Sequence, residues 1–548
     1  PSAVTSLAAF QDTVMAGTAN GVYSLSGGVF QPVPGTSGKP IVSMVSTAGA
    51  WWYVWNGSTG FTVETQSSIG SPVTTVASYS SDQSSSLSVD PVSSVVAVGT
   101  FNSGVLEWNG TVWTTRVPNG PQANAFINLC IDGGGVLWAG SGLDGGGKGF
   151  YRFNPQLPDS LQWKNFTVGQ YSILGSNDYY KASVGADGSV WVSSWGDGVV
   201  QVVGDTIRRK LNTTSRPSFA ATIGSTFVVI GGVAVDPAGE TWFVDRTAVN
   251  GNFLAKFVDD STFQYFRNSY NPGDGTLSSM VIDQNGTRWI ANSEPTKKVS
   301  SGLYYFNDDL SVVGTAPYNG WGNMSTGEGL TNSTVLSLAV DQDNNIWVGT
   351  DLGITIITNA LDPKDYFMSS FPLREQSIQA IAVDALNNKW IGTKQGVFVV
   401  NPDGTQLLNQ YTVLSTGGRL VDDDVRAIAV DQHRGIVYVG TQKGLSALQI
   451  AAVQSLRSYT TIQVAPNPYV LPSSLPLTIN NLVSSSTIKI LTVNGMLMTQ
   501  FAAQGAGRAF WDGKDSRGSY VPSGIYYIVA FTENGNKVAN GKVAVVRK

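Results

Sequence analysis

Three stretches of the chain are near-copies of one another: VLSLAVDQDNNIWVGTDLGITII from Val335 to Ile357, IQAIAVDALNNKWIGTKQGVFVV from Ile378 to Val400, and VRAIAVDQHRGIVYVGTQKGLSAL from Val425 to Leu448. Each alternates apolar and small residues, turns on Asp, Asn or Gly, runs apolar again and turns on glycine, which is the pattern of consecutive β-hairpins. A sheet made this way has two apolar faces and cannot bury both alone. Copies must stack, and twisted four-stranded sheets stack radially until a ring closes and removes the open edges.

Looser copies precede the strict ones, centred on Val14–Leu25, Trp51–Val63, Asp90–Trp108, Asp132–Phe153, Ala186–Val202, Asp236–Arg246 and Asp283–Ser293, so that ten units can be placed. One large aromatic slot passes from Trp138 to Trp191, Trp242, Trp289, Trp347, Trp390 and Tyr438. The step of roughly 40 to 60 residues is the period of propeller blades. No stretch keeps a 3.6-residue apolar period, so helices should be nearly absent. The slot aromatic is expected to pack between blades, and the Asp of each turn to cap it while Gly or Asn takes the positive φ. Asp341, Asp343 and Asn345 are too few ligands for calcium, and no metal or cofactor is expected.

The fold class expected is all-β: propeller blades followed by an immunoglobulin-like sandwich. Residues 1–315 hold seven units, enough for a complete seven-bladed ring. Residues 316–455 then hold three further blades that cannot close by themselves. Either all ten units form one unusually large ring, or the three belong to a second ring whose other blades lie upstream of Pro1 or in another chain; a truncated second ring with blades missing upstream is the expectation. After Leu448 the texture changes. The Pro466-Asn467-Pro468 punctuation marks a boundary, and alternating runs with turns at Asn494-Gly495 and Glu533-Asn534-Gly535 give about seven strands over 456–548, which suits a two-sheet sandwich.

Composition excludes several functions. Charged residues are 13% of the 548 and the net charge is -5, with no basic patch dense enough to neutralise many phosphates, so nucleic acid is not an expected partner. A lone cysteine, Cys130, allows no internal disulfide, and no partner histidine lies near it. The single histidine, His433, sits in a blade turn. No run approaches about 18 apolar residues, and Pro1 is not an initiator methionine, so the chain is expected to be processed or truncated and not to span a membrane.

The Asp-to-Trp-x-Gly-Thr-x-x-Gly units at Asp341 and at Asp384, Trp390, Gly392, Thr393 and Gly396 resemble the two-component-regulator propeller repeats of Bacteroidetes periplasmic sensors. The tail, with Pro466, Asn467, Pro468, Asn494, Gly495, Trp511, Asp512, Gly513, Gly524 and Tyr526, is similar to the carboxy-terminal sorting domain of type IX secretion cargo. Such blades followed by such a tail resemble the PorZ-like surface components of the type IX secretion system. The resemblance implies a non-enzymatic protein on the extracellular side of the outer membrane, exported through the periplasm, that binds anionic lipopolysaccharide. Its implied partners are the sortase PorU, which processes and attaches cargo, and other components of the system. Two other readings fit the same blades: the carbohydrate-sensing half of a hybrid two-component receptor, and a secreted adhesive cargo protein.

Ligand contacts are expected where the repeat is broken. Trp51, Trp52 and Trp55, Trp195, and Tyr318 with Trp321 are aromatics outside the slot, or in the connecting segment, on which sugar rings could stack. Lys297 and Lys298, with Arg208, Arg209 and Lys210, could meet the anionic groups of a glycan. Catalysis is not expected: a glycosidase needs a carboxylate pair, and Asp259-Asp260 and Asp422-Asp423-Asp424 read as solvated loop runs.

Overall fold

The computed structural model describes residues 3–143, 145–270, 275–293, 301–311, 320–362, 367–370, 373–532, 535 and 537–548. The chain divides into two compact units, Pro1–Asn119 and Gly120–Lys548. Every regular element among the described residues is a strand, apart from two 3-10 turns at Asp159–Leu161 and Thr326–Glu328.

The first unit holds three four-stranded antiparallel sheets, at 4–32, 41–79 and 84–116, each a meander in chain order. Their first strands lie side by side. The second unit holds seven sheets, R1 to R7, at 128–166, 179–211, 228–266, 277–325, 335–370, 380–411 and 425–449. The first strand of each lies against the first strand of the next, and that of R7 against that of R1, so the ring is closed. Closure is sealed by Phe126 N–H on Thr441 O (2.8 Å), by Arg434 on the Gly135 carbonyl, and by a core of Phe126, Leu137, Tyr151 and Tyr438. R2 and R3 also pair edge to edge where Trp195 and Gly196 meet Val229 and Val228.

All ten sequence units are sheets, but they divide elsewhere than at 315/316. That boundary falls inside R4, between its strands Ser301–Phe306 and Trp321–Ser325, and the expected linker supplies the fourth strand. The three strict copies are R5, R6 and R7, and they close with R1 to R4. The group of three is the first one, at 4–116. The physical reason lies in the aromatic slot: its seven members, Trp138 to Tyr438, occupy the second strands of R1 to R7, each filling the wedge toward the next sheet.

The Asp-turn-Trp unit is a lock. In R5, Asp341 Oδ1 accepts the N–H groups of Asp343 (3.0 Å) and Asn345 (2.8 Å), while Oδ2 accepts the indole N–H of Trp347 (3.0 Å). The same indole bond joins Asp132 to Trp138, Asp236 to Trp242, Asp283 to Trp289 and Asp384 to Trp390. Between some sheets a cation is added. Lys389, just before the slot Trp of R6, reaches back to Asp341 at 2.9 Å with both side chains fully buried, and its ammonium lies 4.6 Å from the Trp347 ring. Arg288 of R4 does the same to Asp236 (3.3 Å) and Trp242 (3.6 Å) of R3. Burial by itself would raise the Asp341 carboxyl, but the bonds from Lys389, Asn345 and Trp347 outweigh it and hold it low. Asp283, whose lock lacks a cation from the next sheet, is held high by burial.

The slot glycines let sheets approach. A Cβ on Gly140 would sit 2.5 Å from the Tyr180 carbonyl carbon, one on Gly392 2.6 Å from Val425 Cγ1, and one on Gly440 2.6 Å from the Phe126 carbonyl oxygen.

After Ile450 the chain enters a sandwich of a three-stranded sheet (Gln463–Ala465, Leu477–Asn480, Ala509–Trp511) and a five-stranded one (Tyr469–Leu471, Val538–Arg547, Gly524–Phe531, Thr487–Thr492, Leu497–Ala502). These eight strands enclose one core around Trp511, Tyr469, Ile488 and Ile528. The turn at Asn494-Gly495 is present, with Gly495 at φ +81°; Glu533 and Asn534 lie outside the described residues. Arg508 ties sandwich to ring through the carbonyls of Ile450 (3.0 Å) and Arg434 (3.1 Å).

The lock predicts an asymmetry between two identical substitutions. Asp341→Asn strands a buried ammonium and should cost about 3–5 kcal/mol, whereas Asp283→Asn replaces a carboxyl with no cation from the next sheet and should cost about 1 kcal/mol. Urea unfolding followed by tryptophan emission measures both, and equal losses would refute the role given to Lys389.

Candidate ligand site in the central funnel

In the ring, the start of each first strand and the end of each second strand lie at one mouth. There a cavity of about 290 Å³ is lined from all seven sheets: Ile127 and Leu143 at R1, Tyr180, Lys181 and Trp195 at R2, Arg246 at R3, Ser278 and Ser293 at R4, Leu336 at R5, Gln379 at R6, and Arg426 and Gln442 at R7. Among these described residues three are basic and none is a carboxylate.

R2 supplies the aromatic wall. Trp195, at the end of Val190–Gly196, is half-buried and held by its backbone N–H on Asp178 O (2.7 Å). Tyr180 meets it edge to face at 5.6 Å and donates its hydroxyl to Ile230 O (2.5 Å). The Arg246 guanidinium covers the Trp195 ring at 5.4 Å and donates to Thr276 O (3.2 Å). Such a cation on an indole in a partly dry site is worth about 1–2 kcal/mol. Lys181 is half-buried along its stem, but its ammonium is enclosed, donating to the carbonyls of Gly231 (2.9 Å) and Ser278. It thereby links R2 to R3 and R4. Burial, with Arg246 adding, pushes its pKa down to about 7. Arg426 pairs with Asp424 at 2.5 Å, and Asp424 also accepts from Gln379 (2.8 Å).

A group entering this mouth would meet the stacked Trp195–Arg246 pair, a buried lysine near its titration point and the Arg426 guanidinium. That arrangement takes a small anionic, partly planar ligand, such as an acidic or phosphorylated sugar.

Of the aromatics and bases expected from sequence, Trp195 reaches this site. Trp51 is fully buried in its sheet, stacked on Tyr53 at 4.9 Å, and Trp321 is 1% exposed against Phe306 at 4.9 Å; both are core, and neither offers a face to a ligand. Trp52 is half-buried with its indole toward Thr47 Oγ1 (3.4 Å), and the Trp55 indole N–H is enclosed. Arg208 and Arg209 of R2 pair with Asp260 of R3, joining the two sheets, and Lys210 pairs with Asp197 within R2. Tyr318, Lys297 and Lys298 lie outside the described residues. Asp422 is bonded to Lys443 (3.2 Å), so the acidic run is partly engaged. The His433 backbone N–H donates to Asp431 Oδ1 (3.0 Å), which caps the turn, and burial pushes the Cys130 thiol up, with Asp132 adding. Among the described residues no group of three His, Cys, Asp or Glu side chains could hold a metal, and no helix is long and apolar enough to cross a membrane.

Several tail motif residues make bonds within the sandwich. Asn467 Oδ1 accepts Ala544 N–H (3.0 Å), Trp511 donates its indole N–H to Lys514 O (2.8 Å), Asp512 accepts Lys514 N–H (3.0 Å), and Tyr526 donates to Pro522 O (2.8 Å). A Cβ on Gly513 would meet Leu471 at 2.5 Å.

A closed ring of seven sheets with a buried aromatic side chain in the wedge after each, followed by a two-sheet sandwich, defines a β-propeller protein, and residues 329–351 match the family model described as two component regulator propeller. In overall fold the chain is similar to PorZ, an essential bacterial surface component of the type-IX secretion system of Porphyromonas gingivalis, with a TM-score of 0.64 at 18% identity over 100% of this chain and 82% of that one. It is more distantly similar to the extracellular domains of two putative hybrid two component systems of Bacteroides thetaiotaomicron: TM-score 0.47, 13% identity, over 100% of this chain and 86% of that one, and TM-score 0.45, 14% identity, over 98% and 72%. At these identities the likeness is one of fold. No curated protein matched the sequence.

The Lys181 environment predicts a pH effect. In the unfolded chain a lysine keeps its proton to about 10.5, whereas in the fold Lys181 releases it at about 7, so between those values the unfolded state binds more protons and stability rises with pH. Lys181→Met should flatten this rise in thermal melts taken from pH 7 to 10; an unchanged slope would show the group titrates normally.

Proposed function

We propose that this protein is a non-catalytic, exported surface component of the type IX secretion kind, whose funnel holds an anionic sugar of lipopolysaccharide and whose presence supports a PorU-type sortase. The observation that carries the reading is the mouth itself: three basic side chains and no carboxylate among its described lining residues, beside the half-buried indole of Trp195. Among the described lining residues there is no carboxylate pair of the kind that ordinary glycoside hydrolysis uses, which supports a binding role. The fold shared with PorZ and the tail's sorting-type motif support the surface and export parts of the proposal. A carbohydrate-sensing receptor propeller is the second reading, favoured by the repeat matched at 329–351.

Purified protein should retain lipopolysaccharide bearing anionic groups, fail to retain a neutral one, and lose retention as salt is raised. Lys181→Met and Trp195→Ala should each weaken it about tenfold or more. Because an anion beside Lys181 favours its protonated form, affinity should rise as pH falls through about 7. Equal retention of neutral and anionic forms would favour the sensor or adhesive reading.

A further inference from the structure

R1 to R6 have four strands and R7 has three. Among the described residues the outer edge of its last strand, Leu445–Gln449, carries no strand partner. The sister sheets show what belongs there. Their fourth strands are four to six residues long and antiparallel to the third. At one register position, next to the third-strand residue opposite the one just before the slot aromatic, they place Trp163, Ile207, Phe263, Trp321, Phe367 and Leu407. In R7 the corresponding third-strand residue is Leu448, which pairs with Val437.

A second position agrees. Opposite the first apolar residue of the third strand stand Phe166, Leu211, Phe266, Met324 and Tyr411 in five of the six. The residues they cover, Phe150, Val199, Leu254, Leu303 and Val397, are at most 1% exposed. Their R7 counterpart, Leu445, is partly exposed. Beside this edge lies an apolar cavity of about 510 Å³ walled by Trp390, Tyr411, Leu420, Val439 and Leu448. One end is closed by the N–H of Val421 on the Ser446 hydroxyl (3.2 Å).

The chain segments flanking the ring are committed elsewhere. Residues 120–126 bond Asn165 and Thr441, and past Gln449 the backbone bonds Gly435 and Gln432 and bridges to Ala506 of the sandwich. We propose that a partner polypeptide completes R7. It would add an extended segment of about five residues antiparallel to Leu445–Gln449 by strand addition, with one bulky apolar side chain opposite Leu448 and another opposite Leu445. The exposed edge, two matching register positions and the adjoining cavity all specify the same occupant.

A synthetic peptide copying residues 260–268, the fourth strand of R3 with Phe263 and Phe266 three apart, is a direct probe. Fluorescence anisotropy should show binding to the full chain, and hydrogen exchange should show the amides of 445–449 slowed by the peptide. Serine at both phenylalanines of the peptide, or Leu445→Lys in the protein, should weaken binding at least about tenfold, with exchange in R1 to R6 unchanged as proof of folding. The proposal is overturned by no binding, by binding indifferent to those changes, or by amides of 445–449 already as slow as those of Ile436–Thr441 without peptide. A concentration-dependent dimer that protects the same edge would assign it instead to a second copy.

Discussion

One carboxylate per sheet underlies the ring. The turn Asp orders its own loop with one oxygen and, through the other, fixes the indole that fills the wedge toward the next sheet. Burying that charge is expensive, and the structure shows two ways of meeting the cost. Asp236 and Asp341 receive a cation from the following sheet, Arg288 or Lys389, and stay low in pKa; Asp283 has none from the following sheet and is pushed up by burial. R2 and R7 depart from the scheme. In R2 the turn Asp187 bonds Ser189 and Gln201, and in R7 Asp431 holds Arg434 while a tyrosine takes the slot. These two sheets also bring Lys181, Trp195 and Arg426 to the funnel, so the repeat is loosest where the candidate site draws most of its chemistry.

The funnel illustrates how a repeat array makes a site without a motif. Lys181, Arg246 and Arg426 come from three sheets and are separated by 65 and 180 residues in the chain. None stands in a pattern that signals a ligand. Closure of the ring alone puts them around one opening, and the low-dielectric walls then make a modest count of charges felt.

Much of the architecture was legible in the sequence: the ten units, the near-absence of helix, the packing role of the slot aromatics and the sandwich after Leu448. The allocation of units to a ring was not, because resemblance between copies measures recent duplication and says nothing about which sheets are neighbours. The better guide was the slot series itself, which has seven members from Trp138 to Tyr438. Isolated aromatics misled for a related reason. Trp51 and Trp321 lie off the slot, yet second and fourth strands also have buried faces. The inter-sheet cations left a readable trace: a basic residue directly before the slot Trp, as in Arg288-Trp289 and Lys389-Trp390, is out of place in an apolar strand unless a buried acid waits for it.

The slot glycines carry one more consequence. Seven wedges must together sweep one full turn, so an error in any of them is shared by the whole circumference. At Gly140, Gly392 and Gly440 a single added methyl group would collide with the adjoining sheet, and the angle so gained would have to be given back elsewhere around the axis. The bore of the propeller is thus gauged by the smallest side chain at its rim, and drift at these positions would alter the aperture before it altered any residue that lines it.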